Sequence, residues 1–193
     1  NIEVYLRRFE LEAGIGKKSV IENVRLYFAK LIEQSPEFTE GINGIAKSAN
    51  VDVLKIAFLN LRYELLYHAL GKRYIDKTVD GCTSFALLPE ITKNNHLIIG
   101  QNWDWIPNID CALTTSIDVD GLKRTCFTEA GIFAGKPGMN SKGIGLTVNG
   151  MYSLQDDWAR LKRPFHLRCY DVLRSENIDD SLNVLSKTPR SCT

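Results

Sequence analysis

Long apolar runs are missing from this chain. No stretch reaches the roughly 18–20 apolar residues that cross a bilayer as a helix, so a membrane-spanning helix is excluded. Charge of one sign is missing as well: 24 basic residues stand against 23 acidic ones. Binding a phosphate backbone through bulk charge needs a basic surplus, so a nucleic-acid partner is not expected. A disordered tail combines few apolar residues with high net charge, and the 44% hydrophobic content excludes it. C-x-x-C pairs are absent. The cysteines are Cys82, Cys111, Cys126, Cys169 and Cys192, odd in number and widely spaced. They build neither a disulfide scaffold nor a zinc knot. Reduced thiols are expected, most of them buried as small hydrophobes. That fits a cytoplasmic or peroxisomal protein better than a secreted one. The 3 histidines share no metal-ligand spacing, so no metal is expected. Neither G-x-x-x-x-G-K-[ST] nor G-x-G-x-x-G occurs in a nucleotide-binding context, so no cofactor is expected.

The 193 residues amount to one large domain or part of one, at about 150 residues per domain. Up to about residue 80 the pattern is helical. Ser19 to Glu33 places Val20, Val24, Leu31 and Ile32 on one helical face. Ser35-Pro36 reads as an N-cap with proline at the first helical position. Asn50 then caps a helix from Val51 to Leu70, with a stripe of Leu54, Ala57, Phe58, Leu61, Leu65 and Leu66, and Gly71 ends it. Beyond residue 80 the pattern becomes β. Short strands are expected over Thr83–Leu88, Leu97–Ile99 and Ile144–Val148. Asp120-Gly121 turns a hairpin between Ala112–Val119 and Leu122–Thr128. Gly135–Gly143 reads as a loop, and Pro164–Leu173 and Asp179–Leu185 as helices. Helices, then hairpins, then helices predict an α+β fold with a largely antiparallel sheet. Lys17-Lys18 and Lys72-Arg73 are short solvated basic pairs. The chain starts at Asn1 without a methionine and stops at Thr193 in a connecting stretch, so a longer parent chain is expected.

Three segments carry groups suited to chemistry. Gly81-Cys82-Thr83-Ser84 puts a cysteine after a glycine, at the junction of the helical and β portions. Cysteine is intrinsically a strong nucleophile, and glycine leaves the peptide carbonyl before it sterically open and its backbone angles free. That pair suits a self-cleaving bond. The Cys82 thiol attacks the Gly81 carbonyl, the acyl group moves from nitrogen to sulfur, and water releases a new N-terminus. The α-amine so freed titrates at about 7.7–8.0 and serves as a base on the same residue. The bland alternative is a core cysteine, and the tetrapeptide alone favours it. Gly100-Gln101-Asn102-Trp103-Asp104-Trp105 is a polar cluster between two indoles. Asp104 reaches the amine or thiol of Cys82 if the two strands pair; a plain Asx turn is the alternative. Phe127–Gly131, Gly138–Gly143 and Asn149 read as turns, or as a pocket lining in which backbone N–H groups or the Asn149 amide face an oxyanion. A Cys82–His166 pair is formally available, and nothing local supports it.

Five stretches, taken in order, resemble the isopenicillin N acyltransferase family of N-terminal-nucleophile (Ntn) hydrolases. They are Leu59-Asn60-Leu61-Arg62-Tyr63-Glu64, Asp80-Gly81-Cys82-Thr83-Ser84, Gly100-Gln101-Asn102-Trp103-Asp104, Thr128-Glu129-Ala130-Gly131 and Gly138-Met139-Asn140-Ser141-Lys142-Gly143. Insect beta-alanyl-dopamine hydrolases are similar. Choloylglycine and penicillin V hydrolases are more distantly so, around the cysteine and the Asn-x-Asp turn.

The resemblance implies an αββα sandwich, made as a zymogen that cuts itself between Gly81 and Cys82. Residues 1–81 would form the helical α piece and residues 82–193 the first part of the catalytic β piece, together one domain. By position Cys82 is the nucleophile and Asp104 lies near its amine. Thr83 and Ser84 orient the site, and Asn102 falls in the matched turn. The substrate would be a small amide or thioester, with acyl-CoA as a substrate and not a cofactor, and the product an acyl-cysteine intermediate passed to water or an amine. Family chains run well past this length, so further strands and an arginine or asparagine toward the oxyanion are expected beyond residue 193. The competing readings are a non-catalytic homologue that keeps the fold for binding, and an amidase of the choloylglycine type.

Overall fold

The computed structural model describes residues 1–74, 81–151 and 153–192. Asp80 and the side chains of Lys72 and Arg73, named above, lie outside the described part. The N-terminal half is helical: α1 (Ile2–Arg8), continued by one π-turn, then α2 (Lys17–Gln34), α3 (Pro36–Ala49) and α4 (Val53–Tyr74). Helix α2 buries Val20, Val24, Tyr27, Phe28 and Leu31. Ile32, expected on the same stripe, is 49% exposed. Steps of four residues drift about 40° around a helix, so by Ile32 the row that began at Val20 has turned off the buried face.

Proline opens α3 behind Ser35, as expected. Asn50 does not start the next helix. It closes α3 in the left-handed conformation, φ 52°, which asparagine tolerates better than most residues. Asp52 is the cap of α4, its Oδ1 accepting from the Leu54 amide at 2.7 Å. Nor does Gly71 end α4, which runs on to Tyr74. A glycine inside a helix costs about 1 kcal/mol, which burial of this helix outweighs. Every residue of α4 from Ile56 to Tyr67 is buried; α1, α2, α3 and α5 all pack on it. It is the central rod of the helical layer.

The β half forms two antiparallel sheets. Strand β1 (Thr83–Leu87) pairs with β2 (Ile98–Asn102), Thr83 opposite Asn102. The second sheet runs in the order β3 (Cys111–Ile117), β4 (Lys123–Glu129), β5 (Gly138–Asn140) and β6 (Gly145–Leu146). The β3–β4 turn uses Gly121 at φ 84°, its amide donating to the Asp118 carbonyl at 2.9 Å. Strand β5 falls where the composition reads as loop. Its glycine serves close approach: a Cβ on Gly138 would lie 2.6 Å from the Thr125 carbonyl oxygen and 2.9 Å from Cys126 Cα. Strand β6 is shorter than the expected 144–148.

Helix α5 (Phe165–Leu173) packs on β5, β6 and α4, and α6 (Ile178–Lys187) packs on α5. The result is an α+β fold with antiparallel sheets, compatible with the αββα arrangement. Strand β3 is exposed along its length, Leu113 and Ile117 included. Cys126, Cys169 and Cys192 are buried, Cys82 is half-buried, Cys111 is exposed, and all five are free thiols. No helix among the described residues is long and apolar enough to cross a membrane.

Candidate functional site

Cys82 immediately precedes β1, where the helical and β portions meet. The β1–β2 register brings it beside the turn that follows Asn102. Its Sγ lies 3.9 Å from the main-chain oxygen of Asp104. The contact expected from Asp104 is through its carboxylate; in the structure the thiol meets the backbone instead. The Asp104 carboxylate is exposed and makes no hydrogen bond or ion pair with another described residue. Gly81 is exposed, its φ lies outside the left-handed region, and a Cβ there would meet nothing within 4 Å among the described residues. The backbone therefore does not demand glycine here. What glycine supplies is the lack of a side chain on the residue before the thiol.

Ser84 and Asn149 join this group. The Ser84 hydroxyl donates to Asn149 Oδ1 at 2.5 Å, and Asn149 Nδ2 donates to the Cys82 carbonyl at 2.8 Å. The amide expected to face an oxyanion is thus engaged with the backbone of Cys82 itself. Gln101 sets the position of Asn149. Its Oε1 accepts from the Val148 amide at 2.9 Å and its Nε2 donates to the Val148 carbonyl, a two-point grip on the residue before Asn149. Thr83 and Asn102 face each other across the ladder, both exposed. Beside Asn149 opens a cleft of about 220 Å³, walled by Leu146, Val148, Phe165, Val172 and Leu185.

Behind the tryptophans lies a buried ionic cluster that motif reading did not resolve into a unit. Arg62, Glu129 and Lys136 are each no more than 1% exposed. Arg62 Nη2 donates to both Glu129 oxygens at 2.8 Å, and Lys136 Nζ donates to Oε1. The Tyr5 hydroxyl donates to Oε2 at 2.5 Å and accepts from Trp105 Nε1 at 2.5 Å. The Lys136 ammonium sits 4.0 Å over the Trp103 ring. Burial pushes the Glu129 carboxyl up, but Arg62 and Lys136 outweigh it and hold it below its ordinary value. Burial, helped by Arg62 and opposed by Glu129, pushes Lys136 down to about 7. The signal in the sequence was Arg62 and Glu64 inside an otherwise apolar helix: charges buried on all sides need partners.

Two of the recognised motifs meet in this region. Asn60 Nδ2 donates to the Gly131 carbonyl at 2.9 Å, and Asn60 Oδ1 accepts from the Phe133 amide at 3.0 Å. With the Arg62–Glu129 pair, this ties Leu59–Glu64 to Thr128–Gly131. His166 takes no part in a pair with the thiol. It is fully buried, its Nδ1 is 2.9 Å from the Asn60 carbonyl oxygen, and burial drives its pKa well below the ordinary histidine value. No group of three metal-ligating side chains occurs among the described residues.

No family model matches the chain. A curated protein of Emericella nidulans, the 40 kDa form of acyl-coenzyme A:6-aminopenicillanic-acid-acyltransferase, is 35% identical over 120 residues. Those residues are 61% of this chain and 30% of that protein, so the match spans less than a third of the relative's length. Its name agrees with the family that the five motifs resemble.

Proposed function

We propose that this chain is part of a self-processing cysteine Ntn acyltransferase or amidohydrolase, cut between Gly81 and Cys82. The observation that carries the reading is the setting of Cys82: a half-buried thiol at the head of a strand, directly after a glycine and beside the Asp104 turn. A core cysteine would be packed in apolar side chains, as Cys169 is, whose thiol burial pushes up to about 12.

In the first step the Cys82 thiol adds to the Gly81 carbonyl, the C–N bond breaks, and a thioester forms with the amine of Cys82 as leaving group. Water hydrolyses the thioester, giving a Gly81 carboxylate and free Cys82 with both thiol and α-amine. An α-amine titrates at about 7.7–8.0, so at neutral pH it takes the thiol proton in the next reaction and returns it to the departing group. The exposed Asp104 carboxylate, without a partner among the described residues, gains a cation to face. Substrate amide or thioester then acylates Cys82, and water or an amine takes the acyl group. The apolar cleft beside Asn149 offers room for a small acyl group. The relative's name specifies an acyl-CoA and a penicillin nucleus for that protein; what carries over is acyl transfer.

Residues 1–81 and 82–193 become the two pieces of one domain. Contacts spanning the cut support their staying together. Asn1 Nδ2 donates to the Asp110 and Ala130 carbonyls at 3.0 Å, the Tyr27 hydroxyl donates to Ser191 Oγ at 3.0 Å, and Arg62 pairs with Glu129. The test is intact mass of the full-length protein: two fragments, the second beginning at Cys82, and a single uncut chain for Cys82→Ala. Wild-type protein that stays uncut while releasing product from N-acyl amines or acyl-CoAs overturns the mechanism. An uncut, inactive wild type makes the chain a non-catalytic homologue.

A further inference from the structure

We propose that Glu129 and Lys136 are positioning residues for Cys82, acting through Trp103 and Trp105 on the Asp104 turn. This rests on the reading of Cys82 as the reacting thiol.

The geometry is a closed loop of contacts. Trp105 donates from Nε1 to the Tyr5 oxygen, and the Tyr5 hydroxyl donates to Glu129 Oε2, each at 2.5 Å. Trp103 lies 4.0 Å beneath the Lys136 ammonium, which donates to Glu129 Oε1. The two indoles flanking Asp104 thus lead by separate routes to one carboxylate. Between them, the Asp104 carbonyl oxygen is the atom that the Cys82 sulfur meets at 3.9 Å. With both indoles anchored, the backbone on either side of that carbonyl is restrained.

Charge accounting singles out Lys136. Arg62 already reaches both oxygens of Glu129 at 2.8 Å, and that pair is neutral by itself. A second buried cation is not needed to neutralise the carboxylate and carries its own desolvation cost. What Lys136 adds is its hold on aromatic faces: Trp103 at 4.0 Å, Tyr63 at 5.1 Å and Trp105 at 5.7 Å. A desolvated ammonium over indole is a strong contact of this kind. The Trp103 Nε1 is buried with no hydrogen-bond partner among the described residues, so the ammonium over its face is a main restraint on that ring.

The hold depends on the proton. Facing Lys136 are Glu129 from β4, Arg62 and Tyr63 from α4, Tyr5 from α1, and His166 and Cys169 from α5; Cys111 of β3 feels its charge. Of these only Glu129 is anionic near neutrality, since burial keeps His166 unprotonated and the Cys169 thiol and the Tyr5 and Tyr63 phenols intact. Lys136, pushed down to about 7, therefore loses its charge, and its grip on Trp103, across neutral pH.

The test uses full-length protein with Lys136→Met and, independently, Trp103→Phe. Lys136→Met leaves the balanced Arg62–Glu129 pair in place, so a folded protein is expected. Wild-type indole emission should step near pH 7, and the step should be absent in Lys136→Met. Fragment release and acylation at Cys82 should slow roughly 10- to 100-fold in both variants, and the step near pH 7 in the rate profile should vanish in Lys136→Met. An emission step that persists without Lys136, or unchanged rates in Lys136→Met or in Trp103→Phe, overturns the proposal. Emission is also read in Cys82→Ala protein. A wild type that neither cuts nor acylates removes the reading of Cys82, and the emission step there still decides whether Lys136 grips Trp103.

Discussion

The side-chain amide of Asn149 donates to the main-chain carbonyl of Cys82 at 2.8 Å, across 67 residues of sequence. Through Oδ1 the same amide accepts from Ser84, and Gln101 grips Val148 next door. Three polar side chains thus fix the first residues of β1 against the segment after β6. Asn149→Ala removes both bonds of the amide. Both bonds are solvent-exposed, so their loss costs about 0.5–1.5 kcal/mol, which corresponds to fragment release slower by roughly 2- to 10-fold. Asn149→Asp keeps the acceptor for Ser84 and loses the donor to Cys82, so it should fall between wild type and Asn149→Ala. Release timed by mass spectrometry checks this; equal rates for all three proteins would show that the link is incidental.

Gly81→Ala separates fold from chemistry. The added methyl meets nothing within 4 Å among the described residues, and φ at Gly81 is outside the left-handed region, so the melting temperature should stay within about 2 °C of wild type, as for surface substitutions worth up to about 0.5 kcal/mol. Branching next to the attacked carbonyl should nonetheless slow cutting, and Gly81→Val should slow it further. Cutting by the valine variant at the wild-type rate would mean that the carbonyl face is not where the thiol approaches.

The α+β layout was legible because periodicity changes from helical to alternating near residue 80, and Asp120-Gly121 marks its hairpin unambiguously. Helix ends were less legible. Asn50 suits an N-cap and a left-handed C-terminus equally well, and the choice fell to the three-residue gap between α3 and α4. Gly138 read as loop because close strand approach, the reason for a glycine there, is a tertiary property. At the site, Cys82 and the Asp104 turn were legible from residue type and strand spacing. The link to Gln101 and the meeting of Arg62 with Glu129 were not. Both join residues far apart in sequence, at 47 and 67 positions, and no local pattern encodes such pairing.

Glu129 is the single anion among two buried cations, and its removal should be felt by the whole fold. Glu129→Gln leaves Arg62 and Lys136 facing each other without a countercharge. Removing one member of a buried ion pair costs about 3–5 kcal/mol, so the variant should melt well below wild type or fail to accumulate. Well below pH 7, where Lys136 carries its proton, combining it with Lys136→Met should recover part of the loss, because one uncompensated cation goes with it. Thermal denaturation of the three proteins measures this. A double variant no more stable than Glu129→Gln alone would mean that Lys136 is neutral in the folded state at the pH used.

Glu64 gives a stability change with pH that can be assigned to one residue. It is fully buried, its Oε1 accepts from the Phe165 amide at 2.5 Å, and Oε2 has no hydrogen-bond partner among the described residues. Burial pushes its pKa up to about 7, against the pull of the Phe165 amide and of the more distant Arg168 and Arg62. A carboxyl in the unfolded chain titrates near 4.3. Between those two values the native state holds the proton more tightly than the unfolded state, so stability falls as pH rises through the window, and no more is lost above about 7. The full difference is roughly 4 kcal/mol, equivalent to about 8–16 °C of melting temperature. Other groups titrate in the same range, so the informative quantity is the wild-type change between pH 5 and pH 8 minus that of Glu64→Gln. Glutamine mimics the protonated acid and keeps the acceptor for Phe165, so its curve should lack this drop and lie above the wild-type curve at pH 8. Parallel curves across the window would place the Glu64 titration outside it and require Oε2 to have found a partner in solution.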